Sequence, residues 1–304
     1  MRVLIAGGTG TIGSALAAEL VKEQHEVIVL SRDPYANEGL LAKGVKIEKW
    51  DGKTPQGWGK LVEDTDAIVN LAGENISGGR WTPKRKTAIV DSRWYAGRAL
   101  TLAIKDASHK PEVLVQSSAI GYYGPTGEQE VTEETPHGKG FVSQVAIRWE
   151  DSTKQVDALG VRRAIIRSGV ALSLNGGALP RMLLPFKFFA GGPVGSGKQW
   201  FSWIHIADLV AGIRFLIDHP ETSGAYNLTS PNPLPNKQFA QAIGKAMHKP
   251  AMLPAPEFAL KLAFGEMASV LLDSQRVLPK RLGEAGMKFR FPDALAALQD
   301  VLKE

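Results

Sequence analysis

Three glycines spaced three residues apart stand near the start of the 304-residue chain, in the sequence Gly-Gly-Thr-Gly-Thr-Ile-Gly. A strand-like apolar run precedes them and a helical pattern follows. In that setting Gly7 permits a tight turn, Gly10 lets the backbone approach a pyrophosphate, and Gly13 lets the helix pack closely on the strand. The first helical turn, with Thr11 and Ile12, then offers free N–H groups and the positive end of the helix dipole to the phosphates. The motif therefore predicts a dinucleotide-binding site.

The residues after the second strand-like run bear on the choice between NAD and NADP. A protein that binds NAD places a carboxylate about 20 residues after the glycines, where it holds the ribose 2′-hydroxyl. Here the run Glu26–Leu30 ends in Ser31-Arg32-Asp33, so a hydroxyl and a guanidinium stand where the carboxylate is expected. Both suit a 2′-phosphate, and Asp33, directly before Pro34, is a turn residue by type. We therefore expect NADP(H) as the cofactor.

Two other patterns that could bind ligands are rejected. The segment from Gly192 to Lys198 matches the G-x-x-x-x-G-K opening of a phosphate-binding loop, but Gln199 stands where that loop needs serine or threonine for Mg²⁺. We interpret the segment as the frame of a substrate pocket, with Lys198 as an anion contact. The six histidines show no pair at i, i+3 or i, i+4 and the chain has no cysteine, so no metal site is predicted.

The glycine loop is the first of several turns between alternating strand-like and helical segments. This alternation indicates parallel strands joined by helical crossovers, and the strand runs are apolar throughout, as expected when helices cover both faces of a sheet. The predicted fold class is α/β, a doubly wound parallel sheet of the Rossmann type. The predicted strands are Arg2–Ala6, Glu26–Leu30, Val45–Lys49, Ala67–Leu71, Glu112–Gln116 and Arg162–Arg167, and the predicted helices are Thr11–Glu23, Lys84–Ala107 and Phe141–Leu159.

The second half of the chain has a different texture, with frequent glycine and proline after about Gly169 and helices separated by prolines. We predict a cofactor-binding domain over residues 1–174, with a return to the sheet over 201–230, and a smaller, mostly helical substrate lobe over 175–200 and 231–304. This lobe should cover the carboxyl ends of the strands, where ligands of open α/β sheets bind. The segments predicted here are strands at Trp203–Ile206 and Tyr226–Thr229 and helices at Ala207–Asp218, Asn236–Met247, Pro256–Leu272 and Pro292–Lys303.

The composition is that of a globular protein, with 44% hydrophobic and 22% charged residues. The net charge of +5 comes without a long basic run, and the densest basic cluster, Arg80 to Lys86, is short. These features fit a small anionic molecule better than nucleic acid, and no apolar run approaches the roughly 20 residues of a membrane span. We expect a cytoplasmic protein with a small-molecule substrate and with no nucleic-acid or membrane partner. A homodimer is compatible with the sequence.

Several motifs occur in an order that resembles the extended short-chain dehydrogenase/reductase superfamily, and more narrowly the bacterial epimerase family proteins within it. After the glycine loop the motifs follow successive strands: Asn70-Leu71-Ala72-Gly73-Glu74, Ser117-Ser118-Ala119, Gly121-Tyr122-Tyr123-Gly124, Arg148-Trp149-Glu150, Arg167-Ser168-Gly169 and Trp203-Ile204-His205. Bacterial members are commonly described as sugar-nucleotide epimerases or cell-division inhibitors. The resemblance implies NADP binding, with Arg93 and the Leu71–Gly73 run in the cofactor site, and it implies no particular substrate.

The resemblance also implies a catalytic tyrosine and lysine, four residues apart on the helix after the fifth strand, and this sequence lacks them. In the superfamily a serine accompanies the pair, the tyrosine acts as acid or base, and the lysine lowers the pKa of the tyrosine. The residues four positions after the five tyrosines are Gly39, Ala99, Thr126, Gly127 and Ser230. Where the pair belongs, the helix reads Phe-Val-Ser-Gln-Val-Ala-Ile-Arg. Either another group transfers the proton, or the protein binds NADP(H) without the usual turnover.

Substitute acids are sought where the strands end, because ligands of α/β proteins collect there. Tyr122 and Tyr123 follow the fifth strand, and Glu74 follows the fourth, where it is also a candidate substrate contact. Each has a structural alternative: the tyrosines could serve only as pocket walls, and Glu74 could pair with Arg80 or Arg93.

We therefore predict an NADP(H)-dependent oxidoreductase or epimerase-like enzyme that acts on a small anionic substrate. Ser117 or Ser118 would hydrogen-bond the reacting oxygen, and Arg80, Arg93 or Lys198 would meet anionic groups of the ligands. The cofactor would give or take hydride, and the protein would orient the reactants. The alternative is a non-catalytic NADP(H)-binding sensor or regulatory protein.

Overall fold

The structure is a computed structural model that describes residues 1–37 and 39–303. The described strands are β1 (Arg2–Ala6), β2 (Glu26–Ser31), β3 (Lys46–Lys49), β4 (Ala67–Asn70), β5 (Val113–Ala119), β6 (Glu130–Val131), β7 (Arg162–Ser168), β8 (Val170–Leu172), β9 (Trp200–Phe201), β10 (Trp203–His205), β11 (Gly224–Leu228), β12 (Leu234–Pro235) and β13 (Arg276–Val277). The described α-helices are α1 (Thr11–Lys22), α2 (Pro83–Asp106), α3 (Phe141–Asp151), α4 (Leu179–Lys187), α5 (Ile206–Asp218), α6 (Asn236–Met247), α7 (Glu257–Phe264), α8 (Ser269–Leu272), α9 (Lys280–Glu284) and α10 (Ala294–Val301).

Seven of the strands form one parallel sheet in the order β3-β2-β1-β4-β5-β7-β11. The chain builds outward from β1 on one side and then from β4 on the other, so the strand order reverses between β1 and β4. Ala6 pairs with Asn70 and Asn70 pairs with Gln116, which aligns the carboxyl ends of the three central strands. Ligands of open α/β sheets bind at this edge, beside the reversal point. The predicted doubly wound parallel sheet is confirmed.

Both faces of the sheet are buried, and the side chains of each strand alternate between them. Val3 and Ile5 of β1 face a core that includes α1 and α5, whereas Leu4 and Ala6 face a core that includes α2. This arrangement explains why β1, β2 and β4 are largely apolar, whereas the edge strand β3 is polar and mostly exposed.

The later helices surround a third core, which includes Leu183 of α4, Phe239 of α6 and Leu298 of α10. Nearby segments contact the carboxyl edge of the sheet: Gln275 Nε2 donates to the carbonyl of Ile120, which follows β5, at 2.9 Å. That edge is the one on which the sequence places the smaller lobe, whereas the proposed domain boundaries stay a prediction. No helix in the described ranges is long and apolar enough to cross a membrane.

Two predicted helices are interrupted in the structure. The helix predicted over Phe141–Leu159 ends at Asp151 and resumes as a 3₁₀ turn, because the hydroxyl of Ser152 donates back to the carbonyl of Trp149 at 2.6 Å and competes with helical bonds. The helix predicted over Pro256–Leu272 breaks at Gly265, whose φ of 61° lies in the left-handed region.

The strand predicted at Trp203–Ile206 ends one residue early. His205 Nδ1 accepts a hydrogen bond from the N–H of Ala207 at 3.1 Å, so His205 caps a helix that already includes Ile206. A capping side chain of this kind commits the next residue to the helix.

Candidate cofactor and active site

The glycine loop after β1 is so tightly packed that side chains would collide in it. Gly7 has a φ of 79°, and a Cβ atom there would lie 2.8 Å from the backbone N of Ala72 in the loop after β4. A Cβ atom on Gly13 would lie 2.5 Å from the Cα of Gly8, which shows that α1 rests directly on the loop. Gly10 N donates to the carbonyl of Gly7 at 3.1 Å. Gly7 and Gly13 therefore have the packing roles that their spacing predicts, and the approach of a pyrophosphate at Gly10 stays a prediction.

The N-terminus of α1 is open to an anion. Its N-cap residue, Gly10, supplies no side-chain cap, and the first turn, including Thr11 and Ile12, holds no acidic residue. The loop before α4 closes over this end of the helix, because a Cβ on Gly176 would collide with Thr11 Oγ1. Uncapped N–H groups beneath a close backbone form a cradle that fits the pyrophosphate of a dinucleotide.

The end of β2 presents a basic side chain where the adenosine ribose would lie. Arg32 is exposed, and its Cδ lies 3.8 Å from the position of a Cβ on Gly52 in the loop after β3. Ser31 is buried, and its hydroxyl accepts a hydrogen bond from Asp33 N at 3.2 Å. Asp33 Oδ1 accepts from the N–H of Ala36 at 3.1 Å, as its interpretation as a turn residue requires. Across the described ranges, Arg32 forms no salt bridge with an acidic side chain.

Arg93, which the resemblance places in the cofactor site, lies beneath the loop after β4 and supports it. Its Nη1 donates to the carbonyls of Glu74 and Ile89, both at 3.0 Å, and its guanidinium lies 4.5 Å from the ring centroid of Trp149. Burial lowers the pKa of Arg93 to about 10, against the opposing charge of Glu74. A Cβ on Gly73 would lie 2.9 Å from Arg93 Cζ, so a side chain at this loop position would displace the guanidinium. Direct contact of Arg93 with the cofactor stays a prediction.

Glu74 pairs with Arg85, and the two partners suggested by the sequence, Arg80 and Arg93, are wrong for its carboxylate. Arg85 Nη1 lies 2.9 Å from Glu74 Oε1. Of the atoms of Glu74, Arg93 bonds the backbone carbonyl and not the carboxylate. Arg80 Nε donates instead to the carbonyl of Ala263, at the end of α7, at 3.0 Å. The guanidinium of Arg80 therefore ties α7 to the loop after β4, and its role toward the substrate stays a prediction.

A buried polar network lies under the carboxyl ends of β5 and β7. Ser118 Oγ donates to Glu150 Oε1 at 2.7 Å, and Arg167 Nε and Nη2 donate to the two oxygens of the same carboxylate at 2.9 and 3.0 Å. Burial works to lower the pKa of Arg167, but the hydrogen bonds and charge of Glu150 raise it above its ordinary value. Ser117 Oγ points back to the carbonyl of Ser118 at 3.5 Å. Of the two serines, Ser118 is thus the one joined to charged groups.

The two adjacent tyrosines differ in their access to a ligand. Tyr123 is 2% exposed; its hydroxyl donates to Asn227 Oδ1 at 2.7 Å and accepts from Arg167 Nη1 at 3.1 Å. Burial raises the pKa of Tyr123 to about 12. Tyr122 is half-buried, and Arg167 Cζ lies 3.4 Å from the centroid of its ring. Tyr123 is therefore held inside the network, while Tyr122 lies at its rim.

The first turn of α3 packs against the turn after β5. A Cβ on Gly121 would collide with the side chain of Val142, and Ser143 Oγ donates to the carbonyl of Gly121 at 3.1 Å. Val142 packs on a buried cluster that includes Trp81 and Met267, so the loop after β4 and the segment after α7 meet α3 here. Toward the end of β5, α3 thus presents the hydrocarbon of Val142, the hydroxyl of Ser143 and, further along the helix, the carboxylate of Glu150.

Glu150 and Arg167 appear in the sequence only as parts of motifs, and their position in the site was not predicted. The signal that could have found them is Arg167 directly after the apolar residues 164–166, because a guanidinium buried beside such a run needs an acid nearby. Lys198 is exposed in the loop before β9, where its N–H donates to Ser196 Oγ at 3.2 Å, and its predicted anion contact stays a prediction. In the parts of the chain that the structure covers, no three histidine or acidic side chains come together as a metal site would need.

A parallel sheet with this strand order and a glycine loop at its reversal point defines a nucleotide-binding α/β protein of the Rossmann type. The NAD dependent epimerase/dehydratase family matches residues 3–229, and the chain belongs to that family. Residues 255–301 match a domain family of unknown function, DUF1731.

Individual relatives show which members of this family the chain resembles. The epimerase family protein YfhF of Bacillus subtilis is 38% identical over 307 residues, with 100% of this chain and 99% of the relative covered. The crystal structure of the human epimerase family protein SDR39U1 with NADPH is 34% identical, covers all of both chains and has a TM-score of 0.88. The complex of Thermus thermophilus UDP-glucose 4-epimerase with NAD is 16% identical, covers 100% and 99% of the two chains with a TM-score of 0.78, and shares the fold. The resemblance to the bacterial epimerase family proteins is confirmed.

Proposed function

We propose that the protein is an NADP(H)-dependent oxidoreductase that acts on a small anionic substrate. The observation that carries the proposal is the uncapped N-terminus of α1 under the glycine loop, with the exposed Arg32, which has no salt bridge among the residues that the structure describes, at the end of the neighbouring strand. A human relative that is 34% identical over the whole chain has a structure with NADPH, which supports the choice of NADP(H). When bound, the nicotinamide supplies or accepts hydride.

Two groups of residues in this chain contact the cofactor, at separate places. The N–H groups of Thr11 and Ile12 receive the pyrophosphate, and Arg32 with Ser31 receives the 2′-phosphate. Arg93 holds the loop after β4 against the glycine loop, so it keeps the cradle in shape from below.

At the reacting end, we assign Ser118 to the reacting oxygen and Tyr122 to proton transfer. Ser118 donates its single hydroxyl proton to Glu150, which Arg167 fixes in turn, so substrate binding must turn this hydroxyl from Glu150 to the reacting oxygen. The hydroxyl of Tyr123 is already committed to two buried partners, which makes this tyrosine a wall of the site. Tyr122 has the access that a proton donor needs.

The anionic nature of the substrate rests on basic side chains around the carboxyl edge. Arg80 and Arg93 are engaged by backbone carbonyls, whereas Lys198 is exposed. Arg181 of α4 is engaged in the same way, since its Nη1 donates to the carbonyl of Ser77 in the loop after β4 at 2.9 Å. Lys198 is therefore the better candidate for a contact with an anionic group.

The test of cofactor choice is a fluorescence titration with NADPH and NADH on the wild type and Arg32→Ala. Loss of one charged phosphate contact should weaken NADPH binding about ten- to a hundredfold and leave NADH binding unchanged. Lys22→Ala, which removes a basic side chain from the other end of α1, is the matched control and should leave both affinities unchanged. Equal affinities of the wild type for the two cofactors would refute the assignment.

A non-catalytic NADP(H)-binding sensor is the second candidate, and the sequence of α3 favours it. This helix carries no tyrosine and no lysine, the pair that the superfamily uses there. The two functions separate when protein loaded with NADPH is mixed with a pool of metabolites. Oxidation of the NADPH supports the enzyme, and tight binding without oxidation across the pool supports the sensor.

A further inference from the structure

Two loops of the second half lie side by side and expose a group of large apolar side chains. The N–H of Leu253 donates to the carbonyl of Gly191 at 3.1 Å, which joins the loop before α7 to the loop after α4. These loops and the end of α4 carry five apolar side chains that are between 53% and 80% exposed. We call them the tip patch; its members are Leu184, Phe188, Phe189, Met252 and Leu253.

The backbone at Phe189 favours a function for this exposed ring. Phe189 has a φ of 59°, a left-handed conformation that an aromatic residue seldom adopts and that glycine accepts readily. Glycine is available close by, at Gly191 and Gly192, yet the left-handed position holds phenylalanine. The side chain that carries this unfavourable backbone is 59% exposed, so the ring is turned outward instead of packing into the protein core.

The surroundings of the tip patch are basic. Lys187 directly precedes Phe188, Lys249 Nζ lies 3.7 Å from the ring centroid of Phe189, and Lys245 lies in the last turn of α6, four residues before Lys249. No acidic residue occurs between residues 158 and 207 or between 222 and 256, the two segments that build this region. Within residues 1–37 and 39–303, none of the three lysines forms a salt bridge.

We propose that the tip patch docks on the surface of an anionic lipid bilayer. Exposed aromatic and aliphatic side chains can enter the boundary between headgroups and acyl chains, while nearby lysines are attracted to acidic headgroups. The core of a protein–protein interface is depleted in lysine, so a protein partner fits the mixed apolar and basic character less well. The proposal departs from the sequence-based expectation of no membrane partner. Spanning segments and long basic runs can be found in a sequence, whereas a docking surface forms only when the chain folds. The proposal is independent of the proposed cofactor chemistry.

The experiment is co-sedimentation of the full chain with large unilamellar vesicles at low salt. One set contains phosphatidylcholine and phosphatidylglycerol in equal parts, and the other contains phosphatidylcholine alone. The wild type should bind the anionic vesicles and bind the neutral vesicles at least about tenfold less. The affinity of Lys187→Gln/Lys249→Gln for the anionic vesicles should fall about fivefold for each charge removed. Added salt should also weaken the binding of the wild type. The affinity of Phe188→Ser/Phe189→Asn for the anionic vesicles should fall at least about tenfold. Asparagine is chosen for position 189 because it tolerates the left-handed backbone there.

Matched controls remove similar groups elsewhere on the surface. Tyr35→Ser/Leu40→Ser deletes two side chains that are 85% and 69% exposed, and Lys22→Gln/Lys303→Gln deletes two exposed charges. Both controls should bind like the wild type, and circular dichroism should show that every variant is folded. Absence of binding, equal binding to both vesicle types, or equal losses in the control variants would overturn the proposal. So would concentration-dependent self-association that the phenylalanine variant abolishes, because the patch would then be covered by a second copy.

Discussion

Glu150 and Arg167 form an ion pair whose side chains are 11% and 6% exposed, and each offsets the buried charge of the other. Removal of one partner from such a pair leaves an uncompensated buried charge. Arg167→Met should therefore lower the free energy of unfolding by about 3–5 kcal/mol, and Glu150→Met/Arg167→Met should recover much of the loss. Urea denaturation measures both changes.

The control for this pair is an exposed one. Lys280 and Glu134 lie 3.2 Å apart with side chains 41% and 75% exposed. Lys280→Met should change the unfolding free energy by only about 0–1 kcal/mol, because solvent screens the pair. A loss for Arg167→Met no larger than that for Lys280→Met would show that the network is not a true buried ion pair.

The adjacent tyrosines should respond differently to loss of their hydroxyl groups. Tyr123→Phe leaves Asn227 and Arg167 short of a buried partner, and should cost about 1–3 kcal/mol of stability. Tyr122→Phe should leave the free energy of unfolding unchanged. Once a substrate has been found, Tyr122→Phe and Ser118→Ala should each slow single-turnover NADPH oxidation about 10²–10⁴-fold. Cofactor affinity, measured in each variant, separates chemistry from binding. Near-normal rates in all three variants would place the proton source in water or in the substrate.

At the scale of elements, the sequence predicts best where the information is local. The strand Arg2–Ala6, the glycine turn and the start of α1 follow from adjacent residues, and so the cofactor cradle could be located before the structure. The end of α3 could not be predicted in this way. The hydroxyl of Ser152 competes with the backbone hydrogen bonds of the helix, and it does so only in a particular rotamer. Helical periodicity alone carries no record of that competition.

The reacting end of the site depends on contacts between elements that are distant in sequence. Ser118 and Glu150 are 32 residues apart, and the partner of Tyr123, Asn227, is 104 residues away. The parallel register of β5, β7 and β11 brings Ser118, Arg167 and Asn227 to one edge, and α3 supplies Glu150. Motif spacing identified Ser118 and Tyr123 as candidates, but the buried acid that holds Ser118 became visible only with the fold.

The contact between α1 and the glycine loop makes a prediction about a helical glycine. A methyl group on Gly13 would approach the Cα of Gly8 and the carbonyl of Gly7, at 2.5 and 2.6 Å, so α1 would have to move away from the loop. Gly13→Ala should lower the unfolding free energy by about 1–3 kcal/mol and weaken NADPH binding, because the cradle depends on that contact. Urea denaturation and the fluorescence titration measure these two effects.

Gly283 in α9 provides the matched control. A Cβ there meets no atom within 4 Å, and the residue is helical. Gly283→Ala should be neutral or stabilise the protein by up to about 1 kcal/mol, because alanine favours the helix. Tight NADPH binding by Gly13→Ala would show that the cofactor does not lie over this loop.

At the scale of the whole molecule, the last part of the chain is bound into the core of the sheet. Arg281 donates to the carbonyls of Ala225 and Ser223, at 2.7 and 2.9 Å, beside β11. Leu282 and Met287 are buried in the same cluster as the side chains of β1, α1 and α5. The segment after α8 therefore completes the main hydrophobic core, although its sequence reads as part of a separate helical lobe.

Because that core is shared, damage to the tail should destabilise the entire protein in one transition. Leu282 is fully buried, so Leu282→Ala should lower the unfolding free energy by about 2–5 kcal/mol through lost burial and the cavity left behind. Far-UV circular dichroism and tryptophan fluorescence should shift together to a lower urea midpoint, since both report on the same cooperative unit. Leu262→Ala, at a position on α7 that is 75% exposed, should stay within about 0.5 kcal/mol of the wild type. If Leu282→Ala instead unfolded in two steps, with the sheet retaining its original midpoint, the tail would be an independent unit and the division of the chain into two separately stable parts would be the better description.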